Sequence, residues 1–194
     1  MVPFLVEFIK HPRFIGAVAP SGRALAEKMM GTVRFDRARA IVEYGSGTGV
    51  FTRRLLARRR EDTKLILIEN NPVFYCRLQK EFGGQRDVYL FCGSAEDVND
   101  YLAQCGISSA DFIVSGLPFA SLPKQMSENI LSATCKALGK KGRFITFQYS
   151  MVRRKFFERY FSIDGRLLEM KNLPPAYVLV MRAKKLCRGR TEEN

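Results

Sequence analysis

Short apolar runs and amphipathic stretches take turns along this chain. Ala40–Tyr44 reads as a strand and 51–60 as a helix, then Lys64–Glu69 and 73–82, then Val88–Cys92 and 96–105. A fourth strand is expected at 111–115, a helix at 124–138, and a fifth strand at 143–149 after the turn Gly139-Lys140-Lys141-Gly142. A basic helix near 152–161 and two strand-like pieces, 166–171 and 176–182, complete the order. Repeated strand-helix units predict an α/β fold whose mostly parallel sheet carries helices on both faces, with ligands at the carboxyl ends of the strands. The expected organisation is a single domain: a helical cap over 1–38, a core over 39–186 and a tail over 187–194.

The step from the first strand into its helix reads Ile41-Val42-Glu43-Tyr44-Gly45-Ser46-Gly47-Thr48-Gly49-Val50-Phe51. Glycine is needed where backbone bends sharply and passes close to a guest, and the helix that follows aims free N–H groups at that guest. A dinucleotide fingerprint, G-x-G-x-x-G, would put its third glycine at position 50, where Val50 stands. The series E-x-G-x-G-x-G instead resembles the first motif of S-adenosylmethionine-dependent methyltransferases, whose loop wraps the methionine part of the cofactor. Twenty residues beyond Gly49, the run Leu65-Ile66-Leu67-Ile68 ends in Glu69, followed by Asn70-Asn71-Pro72. An acidic side chain there can accept two hydrogen bonds from a ribose diol; the alternative is that Glu69 caps the helix opened by Pro72. Gly93-Ser94-Ala95-Glu96-Asp97 faces the same crevice, with Glu96 or a backbone N–H placed to meet an adenine edge, or with Ser94 and Asp97 forming a capping box.

The fourth strand ends in Ser115-Gly116-Leu117-Pro118-Phe119, where a reacting nitrogen should stand. Methyl transfer from a sulfonium is an in-line displacement, so the protein must hold a neutral amine facing the methyl carbon and exclude water. Ser115 Oγ and the carbonyls of the Gly116-Leu117 turn, stiffened by Pro118, can orient N–H bonds, and Phe119 can cover the site or attract a cationic nitrogen. The bland alternative is a tight exit from a buried strand, with Phe119 packed in the core.

Composition narrows the partners. Lys and Arg number 32 against 19 Asp and Glu, a formal excess of +13, which attracts an anionic surface such as RNA or an acidic membrane leaflet. Five cysteines, at 76, 92, 105, 135 and 187, are odd in number and form no C-x-x-C pair, so neither a metal site nor a disulfide framework is expected, and Cys92 and Cys135 read as small hydrophobes in a reducing compartment. No run approaches the roughly 18 apolar residues of a membrane span, and no secretory signal is recognisable, so a cytoplasmic protein, soluble or peripheral to the inner face of the membrane, is expected.

Taken together, V-E-Y-G-S-G-T-G, L-I-E-N-N-P-V-F, A-D-F-I-V-S-G-L-P-F-A-S-L-P and K-K-G-R-F-I-T-F-Q-Y-S resemble the bacterial phospholipid N-methyltransferases, the soluble type that converts phosphatidylethanolamine to phosphatidylcholine, which are related to the ribosomal RNA adenine N6-methyltransferases. The resemblance implies a class I, Rossmann-like fold of seven strands with an antiparallel last strand, and S-adenosylmethionine as cofactor. The residues implied to bind it are Glu43, Gly45, Gly47, Glu69 and Ser94 to Glu96, to which their neighbours Ser46, Gly49, Asn70 and Ala95, together with Ser115 and Ser21, are added. Ser115, Leu117, Pro118, Phe119 and Tyr149 are the candidate catalytic residues, and a monomer is assumed. RNA adenine enzymes usually read N-[IL]-P-[YF] at the fourth strand and carry a helical extension after the sheet. Here Ser115 is followed by an extra residue before Pro118, and about a dozen residues follow the last expected strand, which favours lipid over RNA. A non-catalytic domain that binds the cofactor or RNA is the further alternative.

Val2, Leu5, Val6 and Ile9 fall at helical spacing among Phe4 and Phe8, ahead of Lys10, His11 and Arg13, an amphipathic segment suited to lipid or to packing on the sheet. In the family it resembles, this helix and the element at 12–21 are associated with membrane contact and closure over the cofactor. Three basic clusters, at 53–60, 153–159 and 182–190, add candidate contacts to an anionic leaflet. The acceptor for the amine proton is open between His11, water and lipid phosphate, while Tyr149 and Tyr177 could accept hydrogen bonds or line an aromatic cage.

Overall fold

The computed structural model describes residues 20–172 and 174–185. Helix α1 (Pro20–Met30) leads into β1 (Ala40–Tyr44), α2 (Val50–Arg58), β2 (Lys64–Glu69), α3 (Pro72–Phe82) and β3 (Val88–Cys92). A 3₁₀ turn (Ala95–Asp97) and α4 (Val98–Gln104) precede β4 (Ala110–Ser115), α5 (Lys124–Ala137) and β5 (Leu138–Gln148). Beyond a 3₁₀ turn at Met151–Arg153 come α6 (Arg154–Phe157), β6 (Phe161–Glu169) and β7 (Ala176–Ala183).

The seven strands form one sheet in the order β3-β2-β1-β4-β5-β7-β6. The first five are parallel where they pair, and β7 runs antiparallel to both β5 and β6. Strands buried on both faces need apolar residues at every position. Accordingly β1, which is buried throughout, sends Ile41 to one face and Val42 and Tyr44 to the other. Leu25, Met29 and Met30 of α1, Leu55 of α2 and Leu78 and Phe82 of α3 cover the first face, over Leu65, Leu67, Val114, Ile145 and Val178. Val98 and Leu102 of α4, Ile130, Leu131 and Cys135 of α5 and Phe157 of α6 cover the second, over Ile66, Ile68, Ile113, Phe144 and Leu179. Each fully buried Leu or Ile of this kind contributes roughly 1.5–3 kcal/mol.

Three elements differ from their sequence expectation. The 139–142 segment is part of β5, looped out where the register jumps from Ala110↔Leu138 to Phe112↔Arg143, and a Cβ on Gly142 would lie 2.9 Å from the Ala110 carbonyl. The basic helix is a single turn, because Phe157 and Phe161 are fully buried and Phe161 is already paired to Ala183 in the sheet. Strand β6 consequently starts at Phe161, with a register shift between Ile163 and Gly165. Cys135 is buried as a small hydrophobe should be, whereas Cys92, at the end of the outer strand β3, is exposed.

Candidate functional site

At the carboxyl edge of the sheet, each strand exit is stitched to its neighbour. Gly116 donates its N–H to Tyr44 O (2.8 Å), Gly45 to Ile68 O (2.8 Å) and Gly93 to Glu69 O (3.2 Å), so four exits are held at hydrogen-bond separation. The crevice above them is lined by Gly45, Ile68, Glu69, Asn70, Gly93, Ser94, Ala95 and Leu117, with Leu122, Met126 and Ile130 forming an apolar wall. A broader, open depression on the outer face of α3, around Val73 and Lys80, involves none of these exits and has the character of a surface groove.

Gly45 (φ 66°) and Gly47 (φ 52°) adopt left-handed backbone that L side chains rarely occupy. A Cβ at Gly45 would sit 2.9 Å from Leu117 Cδ2, which locks the first loop against the bend after β4; a Cβ at Gly47 would meet only the Gly45 carbonyl, 3.9 Å away, leaving room for a guest. Gly49 has a different role, giving α2 its start and leaving space for the Phe82 ring. Glu69 accepts the Gly47 N–H at Oε2 (2.7 Å) and the Asn71 N–H at Oε1 (2.8 Å), bracing both loops. It does not cap α3. That function falls to Asn71, whose side chain accepts from the N–H groups of Val73 and Phe74.

Beneath the glycine loop lies Glu43, fully buried. Oε2 accepts from Thr52 Oγ1 (2.8 Å), but Oε1 has no partner, and the nearby Ser46 Oγ, also buried, has none either. Ser46 is near enough to favour ionisation slightly without reaching hydrogen-bond geometry. Burial pushes the Glu43 carboxyl up to about 8, with the charge of Glu69 adding to the effect and Thr52 opposing it. Glu43 Oε1 and Ser46 Oγ are thus buried polar atoms without a hydrogen-bond partner beneath the glycine loop, a feature that calls for a physical reason.

The structure corrects several side-chain expectations. Glu96 is not part of the crevice lining: it accepts from Ser94 Oγ (3.0 Å) and from Asn129 Nδ2 of α5 (2.7 Å), while Ser94 and Ala95 line the crevice. Ser94 caps the 3₁₀ turn through the Glu96 N–H, so the reciprocal box with Asp97 does not form. Phe119 neither covers the crevice nor faces an amine. Its ring is fully buried, edge-on to Phe144 and Phe157 at centroid distances of 6.2 and 5.3 Å, because the bend turns its only large aromatic group toward the core beneath α6. Ser115 is fully buried, and its Oγ accepts the Leu117 N–H within the bend itself (3.2 Å). The Leu117 carbonyl accepts from Phe119 N and the Pro118 carbonyl from Ser121 and Leu122 N, so the half-buried Gly116 carbonyl is the bend's remaining acceptor among the described residues.

Tyr149 follows β5 at the same edge, partly exposed, edge-on to Phe147 and close to Asn172, and burial raises its hydroxyl pKa. It can donate or accept a hydrogen bond but is no base near neutral pH. Ser21 lies in the first turn of α1. The segment at 1–19, with His11, falls outside the described residues. Sequence reasoning placed Gly93 at the crevice but missed Ile68, Leu122, Met126 and Ile130. Met126 and Ile130 are spaced i, i+4 on the amphipathic α5, which was the available signal.

No family model matches the chain. It is 33% identical over 184 residues, 94% of its length and 95% of the relative's, to an ornithine lipid N-methyltransferase from Singulisphaera acidiphila. The chain belongs to the ornithine lipid N-methyltransferase family. It is therefore an S-adenosylmethionine-dependent N-methyltransferase, and the solved structures agree on its class I fold. The N-methyltransferase NodS from Bradyrhizobium japonicum WM9, in complex with S-adenosyl-L-homocysteine, superposes with a TM-score of 0.71 at 12% identity, covering 90% of this chain and 92% of that one. A TehB-like S-adenosylmethionine-dependent methyltransferase from Corynebacterium glutamicum does so at 0.60 and 16% identity, covering 92% and 97%. These relatives lend no support to a kinship with ribosomal RNA adenine methyltransferases.

The residues in and beneath the N-methyltransferase's crevice have the chemistry its cofactor requires. The orphaned Glu43 Oε1 and Ser46 Oγ suit the ammonium of the methionine part, Gly47 leaves room, and Glu69 keeps a second lone pair on each oxygen for a ribose diol. The basic cluster at 53–60 is largely committed within the protein. Arg53 grips Glu81 of α3 (2.7 Å), Arg54 and Arg58 share Glu27 of α1, Arg59 donates to three carbonyls and Arg60 pairs with Asp62, so the α2 stripe clamps neighbouring elements. No described helix is long and apolar enough to cross a membrane.

Proposed function

We propose that this enzyme methylates the free amine of an ornithine lipid head group. The similarity to an enzyme of that name, over 94% of this chain, carries the substrate. When bound, S-adenosylmethionine supplies a methyl carbon on a positive sulfur, open to in-line displacement by a neutral amine. The chain does the rest by placement. Glu43, Ser46 and the Gly45-Gly47 backbone take the amino-acid end, Glu69 takes the ribose, and Ser94 and Ala95 take the adenine edge. Leu117, Leu122, Met126 and Ile130 exclude water. The Gly116 carbonyl accepts an N–H of the acceptor, which aims the nitrogen lone pair across the bend.

Phosphatidylethanolamine is the second reading, supported by the run from Ser115 to Phe119 in its phospholipid-enzyme context. Incubation with methyl-labelled S-adenosylmethionine and vesicles containing either lipid distinguishes them. Label is expected in the ornithine lipid. Label in phosphatidylethanolamine alone transfers the assignment to that lipid, and a lack of label in both defeats the lipid reading.

A further inference from the structure

Outside the crevice, the described surface leaves few large apolar side chains in water, and most of them lie at one place. Val152 is 87% exposed, Met170 67%, Leu168 41% and Tyr149 37%. Val152 and Tyr149 belong to the exit of β5, Leu168 and Met170 to the exit of β6. The sheet brings the two exits together: Gln148, Tyr177 and Leu168 stand in one row across β5, β7 and β6, which sets β5 and β6 about 10 Å apart. Tyr149 and Asn172 also interact across the gap. Two lie elsewhere: Leu167 (42%), next to Leu168 but on the opposite face of β6, and Val73 on α3, on the other side of the sheet order beyond β1.

Cations surround this apolar rim. Arg153, Arg154 and Lys155 follow Val152, Arg166 lies over the Tyr177 ring (5.9 Å), and Lys171 follows Met170. The acids nearby are already matched. Glu158 pairs with Arg154 (2.7 Å), and buried Glu169 pairs with Lys28 (3.1 Å), the backbone N–H of Lys171 and the Lys28 amine holding its carboxyl below the usual range. Exposed apolar tips within a basic surround are the composition of an interfacial membrane contact.

Position supplies the reason. Cofactor-binding residues come from the exits of β1, β2 and β3, so an acceptor must approach over β4 and β5, the side that carries the rim. A lipid whose acyl chains stay in the bilayer can present its head group only if that side meets the membrane. We propose that the exits of β5 and β6 form the surface by which the enzyme docks on an anionic bilayer, Val152 and Met170 entering the interface and the cations around them pairing with lipid head groups. This rests on the lipid reading above.

The chain contains no tryptophan, so a single introduced indole reports its own surroundings without background. Val152→Trp, Met170→Trp and Val73→Trp place that reporter at the rim twice and on α3 once, all at exposed positions that tolerate the change. With vesicles rich in phosphatidylglycerol, Val152→Trp and Met170→Trp should shift their emission to shorter wavelength and lose access to iodide, whereas Val73→Trp should not. Val152→Glu with Met170→Glu should weaken vesicle partition on the order of tenfold per side chain. That double variant should keep its affinity for S-adenosylhomocysteine and its turnover of a short-chain, dispersed ornithine lipid. Rim indoles that stay in water, or a shift confined to Val73→Trp, overturn the docking surface. Loss of turnover on the dispersed lipid by the unaltered enzyme would instead count against the substrate assignment, which keeps the two failures apart.

Discussion

Glu43 concentrates the unusual physics of this protein in one carboxyl group. It is fully buried with one oxygen unpaired, and its pKa stands at about 8 against an ordinary 4.5. Between those values the native protein holds the proton while the unfolded chain has released it. Stability is therefore greatest below about pH 4.5 as far as this group is concerned, falls as pH rises through the window, and levels off above pH 8. Glu43→Gln keeps the hydrogen bond from Thr52 and removes that slope, so urea midpoints of the ligand-free variant should vary less from pH 6 to 9, and its unfolding free energy should exceed the parent's at the alkaline end by a few kcal/mol. Its affinity for S-adenosylmethionine, measured calorimetrically at pH 8.5, should drop roughly tenfold, since a neutral amide cannot pair with an ammonium. An unchanged affinity would mean that the ammonium is held elsewhere.

Among elements, the bend after β4 looks both ways. Leu117 packs against Gly45 in the crevice while Phe119, two residues later, fills the core between β5 and α6. Phe119→Ala should cost about 3–5 kcal/mol of unfolding free energy, as removal of a buried aromatic ring does. A variant equally stable in urea but with raised KM for the donor would restore the ring to the crevice. The Ser115-to-Phe119 sequence suggested an active-site aromatic because pattern alone shows that a large side chain leaves a strand, not which side of the turn it takes. Basic α2 shows the same limit of reading along the chain. Five arginines in eight positions, 53–60, read as a surface for anions, yet Glu27 and Glu81 on other helices had already claimed three of them. Pairings between residues 27 to 31 positions apart are invisible along the chain.

On the scale of the whole molecule, the strand order divides labour. The crevice lies over the exits of β1, β2 and β3, the bend after β4 closes one side of it, and the proposed docking rim lies farther along the same edge, at the exits of β5 and β6. The crevice holds about 90 Å³, below the roughly 300 Å³ at which small-molecule sites begin, so donor binding is expected to open its wall. Hydrogen exchange with and without S-adenosylhomocysteine should show protection spread over 45–49, 93–97 and 117–126, with β6 and β7 unchanged. Protection that skips 117–126 would mean that the wall takes no part in enclosing the cofactor.

What the sequence determined by itself was whatever depends on neighbours in the chain. Alternating apolar runs set the strands and helices, three spaced glycines after Glu43 announced a loop with left-handed backbone, and Glu69 at the end of β2 marked the second loop of the crevice. Local sterics and periodicity are written in order, so they can be read in order. Tertiary structure alone decided which side chains those loops left unsatisfied or turned away: the orphaned oxygen of Glu43, Glu96 drawn off by Asn129, Ser115 folded into its own bend, Phe119 sunk beneath α6. Each outcome rests on a partner brought near by the winding of the sheet, and a hydrogen bond or a packed ring has no energy until that partner arrives.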